Sequence, residues 1–455
     1  MKFGGVGLQD APAMRHAAQI IKGEPGHRVV VASAIRGVTD AIQNNLEPIT
    51  HDEARAHILV SELRKVHERA MEGLASEEAR DNCKYAVDKV LDHLERLLFG
   101  ITYTEELTPR SQDLALSFGE RLSSRILAGY LQEAGVAAEA FDADKLGLAT
   151  NGPFGWASPD LPTTERNFKE RLVPRLNGTV PVITGFFGAD RKGHTTILGR
   201  GGSDFSAAII ANALGAEVLE IWKETTGFMT ADPRAVPGAR RVDEMSYEEA
   251  AELANFGAKI LHPRTVEPVS AKRIPIRIRE LKDPKARGTL IRDYEGAPPC
   301  FIRSVASRKG LNIIKLVGPG MGYTPGVAAD VFDVLKRESI NVINMAASEA
   351  TFALLLDAAD GKRAAKALQV TKGGVIQDIL LEEKMALVAV VGKGLGDRVG
   401  SAAQILQSAA DGGVNIHMIS LGASSIAINF VVQEKDAETA LRAVHHTFIE
   451  KERAP

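Results

Sequence analysis

Cysteine is almost missing from this 455-residue chain: it has two, Cys83 and Cys300, far apart and in no C-x-x-C pair. That pattern offers no disulfide framework or thiolate zinc site, and it fits two unreactive thiols in a reducing compartment. Long apolar runs are missing too. MALVAVVG at 385–392 is among the longest, far short of a bilayer span. The first residues, MKFGGVGLQD, carry no signal-peptide core. The expectation is a cytoplasmic protein with no membrane partner. Neither sign of charge is in excess, since 55 Lys plus Arg against 58 Asp plus Glu leave −3. A nucleic-acid partner is therefore not expected, because such binding needs a basic face to displace counterions. G-x-x-x-x-G-K-[ST] and H-E-x-x-H do not occur, which argues against a P-loop kinase or a zinc peptidase, and no structural metal is expected.

What is present reads as globular. Hydrophobic residues are 45% and charged residues 25%, enough for a sizeable core in a chain whose length suggests roughly three domains. RVVVASA (28–34), PVITGFF (181–187), VLEIW (218–222) and IPIRIRE (274–280) read as strands. Helical patterns at 115–135 and 203–216 lie between them. This alternation predicts an α/β fold, a mainly parallel sheet covered by helices. Residues 45–108 carry helical spacing and almost no strand signal, so they read as a helical insertion. The charged stretch 282–299 reads as a linker closing a domain of about 1–292.

The last third, 293–455, repeats itself. Gly318, Gly320, Gly322 and Gly326 recur as Gly392, Gly394, Gly396 and Gly400, and Asn341 recurs as Asn415. Each copy runs strand, glycine turn, helix, strand, strand. This predicts a pair of small α+β modules, one at about 310–378 and the other at about 299–309 plus 383–450. GPGMG (318–322) and GKGLG (392–396) fall short of G-x-G-x-x-G and read as duplicated turns, not dinucleotide sites.

Two segments point to anion chemistry. In Lys2–Phe3–Gly4–Gly5, a lysine and paired glycines at a strand end can bring an ammonium and backbone N–H groups against phosphate oxygens. In GRGGSDFSAA (199–208), three glycines and Ser203 open a helix whose unpaired N–H groups face an anion. Arg200 adds a planar fork suited to a carboxylate. Asp204 reads either as a helix cap or as a catalytic carboxylate. Glu120 and Arg121, on a helical pattern, read by default as a solvated face.

Together, in order, KFGG (2–5), SAIRGVTD (33–40), SFGERLSS (117–124), GFFGAD (185–190), GRGGSDFSA (199–207), TADPR (230–234) and FGAKILHPRT (256–265) resemble the aspartate kinases of the amino-acid kinase superfamily, with two C-terminal regulatory ACT modules. The resemblance implies phosphorylation of the aspartate β-carboxylate by ATP with Mg2+, a first step of amino-acid biosynthesis. It implies that Lys2, Gly4 and Gly5 hold the transferring phosphates and that Asp204 organises the active-site lysines. Thr39, Glu120, Arg200 and Ser203 would bind L-aspartate. Lys223, Glu224, Met229, Arg234 and Lys259 would fall on ATP-binding positions, TADPR and FGAKILHPRT forming the nucleotide side. The chain departs from the family there: Val6-Gly7 stand for Thr-Ser, Lys223-Glu224 for Thr-Asp, and Met229 for a frequent tyrosine. Lys223 is expected to reach a phosphate or pair with Glu224. The rival readings are another acyl-phosphate-forming amino-acid kinase and a ligand-sensing homologue with impaired catalysis. The ACT pair implies a homo-oligomer and an amino-acid effector at Met321, Thr324, Gly326 and Asn344. Because Asn344 stands where lysine-inhibited relatives place an acid, a threonine-like effector is expected over lysine.

Overall fold

The computed structural model describes residues 1–256, 260–294 and 301–451; Cys300 lies outside them. The chain forms two compact units. The first contains Met1–Phe228, Asp243–Tyr247 and Ile260–Asp293, and the second the described residues of 229–242, 248–259 and 294–455.

The first unit is built on a main sheet of eight described strands: β1 (Lys2–Phe3), β2 (Val30–Ala32), β3 (Ala138–Phe141), β4 (Val180–Thr184), β5 (Leu219–Lys223), β6 (Glu244–Met245), β7 (Ile276–Glu280) and β8 (Thr289–Ile291). Their order is β6-β8-β7-β5-β1-β2-β4-β3. Every pairing is parallel except β7 with β8. Strands β2 and β4 are buried throughout, as a parallel sheet covered on both faces requires. The expected α/β architecture is present. The stretch 282–299, expected to be a linker, contains β8, a strand of three residues that is too short to leave a periodic signal.

Helix α1 (Ala11–Gly23) starts at Asp10, whose carboxylate accepts the Ala13 N–H, a standard cap for an orphan donor. The insertion is helical: α2 (Val38–Ile49), α3 (Glu53–Met71) and α4 (Glu77–Thr104). These bury Leu59, Leu63, Leu91, Leu94 and Leu98. A short α5 (Pro109–Leu116) leads into α6 (Phe118–Glu133), which packs against α1, α4 and the sheet. Glu120 and Arg121 on α6 are buried, so the solvated-face reading is corrected. Arg121 is 2.6 Å from Asp142 and 2.7 Å from Asp144. Helix α7 (Gly202–Leu214) is buried over most of its length.

The second unit carries a six-stranded sheet of β9 (Ser304–Val317), β10 (Asn344–Ala347), β11 (Thr351–Asp357), β12 (Asp378–Val391), β13 (Ile416–Ser420) and β14 (Ala427–Gln433), in the order β10-β11-β9-β12-β14-β13, antiparallel throughout. In the long central pair, Ser304–Arg308 face Leu387–Val391 while Ile313–Val317 face Asp378–Glu382. The register shifts between these halves, near Gly310 at φ 73° and Lys384 at φ 60°. Helices α8 (Val327–Arg337) and α10 (Ser401–Asp411) follow the two glycine turns. Each copy also ends in a further helix, α9 (Ala358–Ala367) and α11 (Ala437–His445). The repeat unit is thus βαββα. The expected βαββ pattern stopped one helix short, because α9 is small and rich in Lys, Arg and Ala. No helix among the described residues is long and apolar enough to cross a membrane.

Candidate active site

A cavity of about 820 Å³ opens in the first unit. Lys2, Thr39, Glu120, Arg200, Ser203 and Asp204 all line it. Three helix starts supply most of these. Thr39 sits in the first turn of α2 after Gly37, Glu120 in the first turn of α6, and Ser203 and Asp204 in the first turn of α7 after Gly201. Helix starts of this kind turn the positive end of a dipole toward the cavity, which favours negative charge there.

The charged centre follows from the sheet register. Lys2 on β1 pairs with Ile221 on β5, so Lys223, two residues along, projects from the same face. Both lysines reach Asp204: Lys2 Nζ lies 2.5 Å from Oδ1 and Lys223 Nζ donates to Oδ2 at 2.9 Å. Asp204 is therefore not the helix cap, a place held by Gly201. Lys223 takes Asp204 as its partner rather than the expected Glu224, which is exposed. Burial works against the charge of Asp204, but Lys2 and Lys223 outweigh it and hold the carboxyl well below the usual range. Burial and the Lys223 charge lower the Lys2 pKa, against the opposing pull of Asp204. Directly after Lys2, a Cβ on Gly5 would lie 2.8 Å from the Ala34 carbonyl oxygen. Only glycine lets the KFGG turn approach the SAIR loop this closely.

Glu120 behaves in the opposite way. Its Oε1 accepts from the Ser203 hydroxyl at 3.3 Å, while Oε2 is buried without a partner. Burial pushes its pKa up to about 8, partly offset by the Ala34 backbone, Ser203 and Lys2. An unpaired buried carboxylate oxygen facing a cavity is suited to a cationic ligand group.

The other expected site residues are placed elsewhere. Gly4 is next to Lys2, with a hypothetical Cβ 3.6 Å from Nζ. Met229 and Arg234 belong to the second unit, where Met229 bridges to Arg241 and Arg234 pairs with Asp232 at 2.7 Å. Lys259 lies outside the described residues. In the second unit Met321 is packed into the core with Leu335 and Leu354. The Thr324 hydroxyl donates to the Gly320 carbonyl at 3.0 Å, and Gly326 at φ 94° starts α8. Asn344 opens β10, and its Oδ1 accepts the Met345 N–H at 2.7 Å.

Three residues that the sequence did not single out also shape this site. Trp156 and Phe186 line the cavity, and Phe186 sits at φ 76°, a strained conformation for an aromatic residue that clusters at functional sites. Arg264, in the HPRT end of the segment read as nucleotide-side, stacks on Trp156. Phe186 and Arg264 lie in the quoted segments GFFGAD and FGAKILHPRT, and for Trp156 a tryptophan in a glycine-rich loop was the available clue.

Comparison with known proteins shows the family of the chain as a whole. The model of the amino acid kinase family matches residues 1–280, and that of an ACT domain matches 314–371 and 388–448. Lysine-sensitive aspartokinase 3 of Escherichia coli is 35% identical over 466 residues, covering 99% of this chain and 98% of its own. Chloroplastic aspartokinase 1 of Arabidopsis thaliana is 32% identical, covering 99% and 80%. The crystal structure of E. coli aspartokinase III with aspartate and ADP matches at TM-score 0.81 and 32% identity, over 98% of each chain. The same enzyme with lysine and aspartate matches at 0.85, again at 32% and over 98% of each chain. With a kinase-family match over residues 1–280, ACT-domain matches after it and aspartokinase relatives along the full chain, the chain belongs to the amino acid kinase family, among its aspartokinases.

Proposed function

We propose that the cavity of the first unit transfers the γ-phosphoryl group of Mg-ATP to the β-carboxylate of L-aspartate, giving 4-phospho-L-aspartate and ADP. The observation that carries this reading is the meeting, in one cavity, of the Lys2–Asp204 ion pair with an unpaired Glu120 oxygen and Arg200. Arg200 fits a carboxylate of the acceptor, and Glu120, with Ser203 and Thr39 beside it, fits the acceptor's ammonium. Lys2, with the Gly4 and Gly5 backbone, faces the transferring phosphoryl group, and Asp204 keeps the lysines in place. Glu224, Met229, Arg234 and Lys259 are assigned to the nucleotide on family resemblance.

The acceptor oxygen is already an anion near pH 7, so no general base is required. An oxygen of the β-carboxylate forms a bond to phosphorus as the bond to the ADP oxygen breaks. The negative charge spreads over the phosphoryl oxygens, where fixed cations stabilise it most. Incubation with aspartate, Mg-ATP and hydroxylamine should yield aspartyl hydroxamate. A glutamate hydroxamate instead would favour another acyl-phosphate-forming kinase, and no hydroxamate at all would favour a sensor.

The domain limits proposed are 1–292 for the kinase and 293–455 for the ACT pair, which is read as joining subunits into a homo-oligomer. Its effector is proposed to be an amino acid with a neutral side chain such as threonine. Asn344 offers an amide and no full countercharge, and an ammonium desolvated without one is costly. Titrating threonine and lysine against activity checks this: inhibition by lysine alone would overturn the preference.

A further inference from the structure

The turn that carries Arg200 is held by side chains that have no place in the chemistry so far. Gly199 and Gly201 adopt φ 78° and 69°. A Cβ on Gly199 would lie 2.3 Å from the Trp156 ring, and one on Gly201 would lie 2.4 Å from His262. The turn is thus gripped between an indole and an imidazole. Arg264 locks the grip. Its guanidinium contacts the rings of both Trp156 (4.7 Å to the centroid) and Phe205 (4.3 Å). It donates to the carbonyls of Leu198 at 2.7 Å, just before the turn, and of Ala157 at 3.0 Å, just after the tryptophan. Asp113 ties the same two loops, accepting the Gly155 and Ile197 N–H groups at 2.9 Å each.

We propose that Trp156, His262 and Arg264 form a brace that aims Arg200 into the cavity and thereby sets the affinity for the acceptor. All three are positioning residues. The inference rests on the reading of Arg200 as the partner of an acceptor carboxylate. Trp156 is 49% exposed and lines the cavity, whereas the second tryptophan, Trp222, is fully buried, so Trp156 also reports optically on the site.

Steady-state kinetics of Arg264→Ala, Arg264→Lys, Trp156→Ala, Trp156→Phe and Arg200→Lys test this. Arg264→Ala and Trp156→Ala should each raise the aspartate KM by about tenfold, within the range of couplings between contacting residues, with the ATP KM changed less than twofold. Trp156→Phe keeps an aromatic face and should recover most of the loss. Arg264→Lys loses the planar fork and should not. In the Arg200→Lys background, Arg264→Ala should add little, because the brace acts through Arg200. Aspartate titration should change the tryptophan emission of the wild type and not that of Trp156→Phe, which tests the site independently of turnover. If Arg200→Lys raises the aspartate KM while the brace variants do not, the brace falls and the acceptor-site reading stands. If Arg200→Lys itself has no effect on it, the acceptor-site reading falls and takes the brace with it. Multiplicative effects of Arg264→Ala and Arg200→Lys, an equal rise in both KM values, or an emission change that survives in Trp156→Phe would each overturn the inference.

Discussion

Glu120 and Asp204 occupy matching helix positions in the lining of one cavity, joined through Ser203, which follows Gly202 in the turn before Asp204 and donates to Glu120. Each is in the first turn of its helix, with one N-cap residue and two helical residues before it, and they are 3% and 5% exposed. Burial and the helix dipole therefore act on both alike. Yet burial prevails at Glu120, pushed up to about 8, and loses at Asp204, held down by two lysines. The difference lies in the neighbours. Each Asp204 oxygen has a lysine ammonium within 2.9 Å, whereas at Glu120 hydrogen bonds and the weaker pull of Lys2 only partly offset burial. Asp204 belongs to a completed charge cluster, whereas its neighbour Glu120 still has room for a positive partner.

The strongest test of that contrast is Asp204→Asn. Lys2, buried and without its anion, should lose both place and charge. kcat should fall about 10²–10³-fold, the usual scale for losing one preorganised charge-stabilising element. Breaking a buried pair also costs about 3–5 kcal/mol of stability, measurable by urea unfolding. The pH sign follows from the depressed pKa: the stability Asp204 contributes is present above its unfolded pKa and is lost as pH falls toward the folded one.

Glu120→Gln should act differently. It should raise the aspartate KM about 10–100-fold, as loss of a hydrogen bond to a charged group does, and leave the ATP KM in place. Since the ionised form is the one suited to an ammonium, kcat/KM for aspartate in the wild type should climb up to about pH 8. That limb should be missing in Glu120→Gln. The stability sign is the reverse of that at Asp204: with a raised pKa, the contribution is full below about 4.5 and is lost as pH rises through about 8. Glu120→Gln should therefore flatten the stability profile between those values. Equal kcat losses in Asp204→Asn and Glu120→Gln would erase the contrast.

The smallest effect is expected from Lys223→Thr, which installs the residue more usual in the family. The Lys223 side chain is 23% exposed, and a partly solvated ion pair contributes about 0.2–1 kcal/mol. kcat should fall about two- to fivefold. A loss as large as that of Asp204→Asn would make Lys223 an equal of Lys2.

The cavity was legible in the sequence because its residues sit in short glycine-bearing segments at strand ends and helix starts, where local chemistry decides. Lys2, Arg200, Ser203 and Asp204 could be named from such segments. The brace was not legible, since Trp156 and Arg264 are more than a hundred positions apart and only the fold stacks them. Arg121 was misread because charge on a helical pattern usually faces water; here Asp142 and Asp144 make its burial tolerable. Family resemblance put Lys223 near the phosphates, but only the β1–β5 register turned it toward Asp204. Lys259, a central expectation of the nucleotide side, falls outside the described residues.

The two long strands at the centre of the second unit carry one more consequence. β9 and β12 each run through both copies of the repeat, so the first half of β9 finishes the part of the sheet that holds β13 and β14, while its second half starts the part that holds β10 and β11. Neither copy can be cut out or melted alone without stripping hydrogen bonds from the other. In folding terms the repeat is a single cooperative block, nucleated only when segments far apart along the chain find each other, a slow topology. Amide exchange should show β9 and β12 opening together in one step.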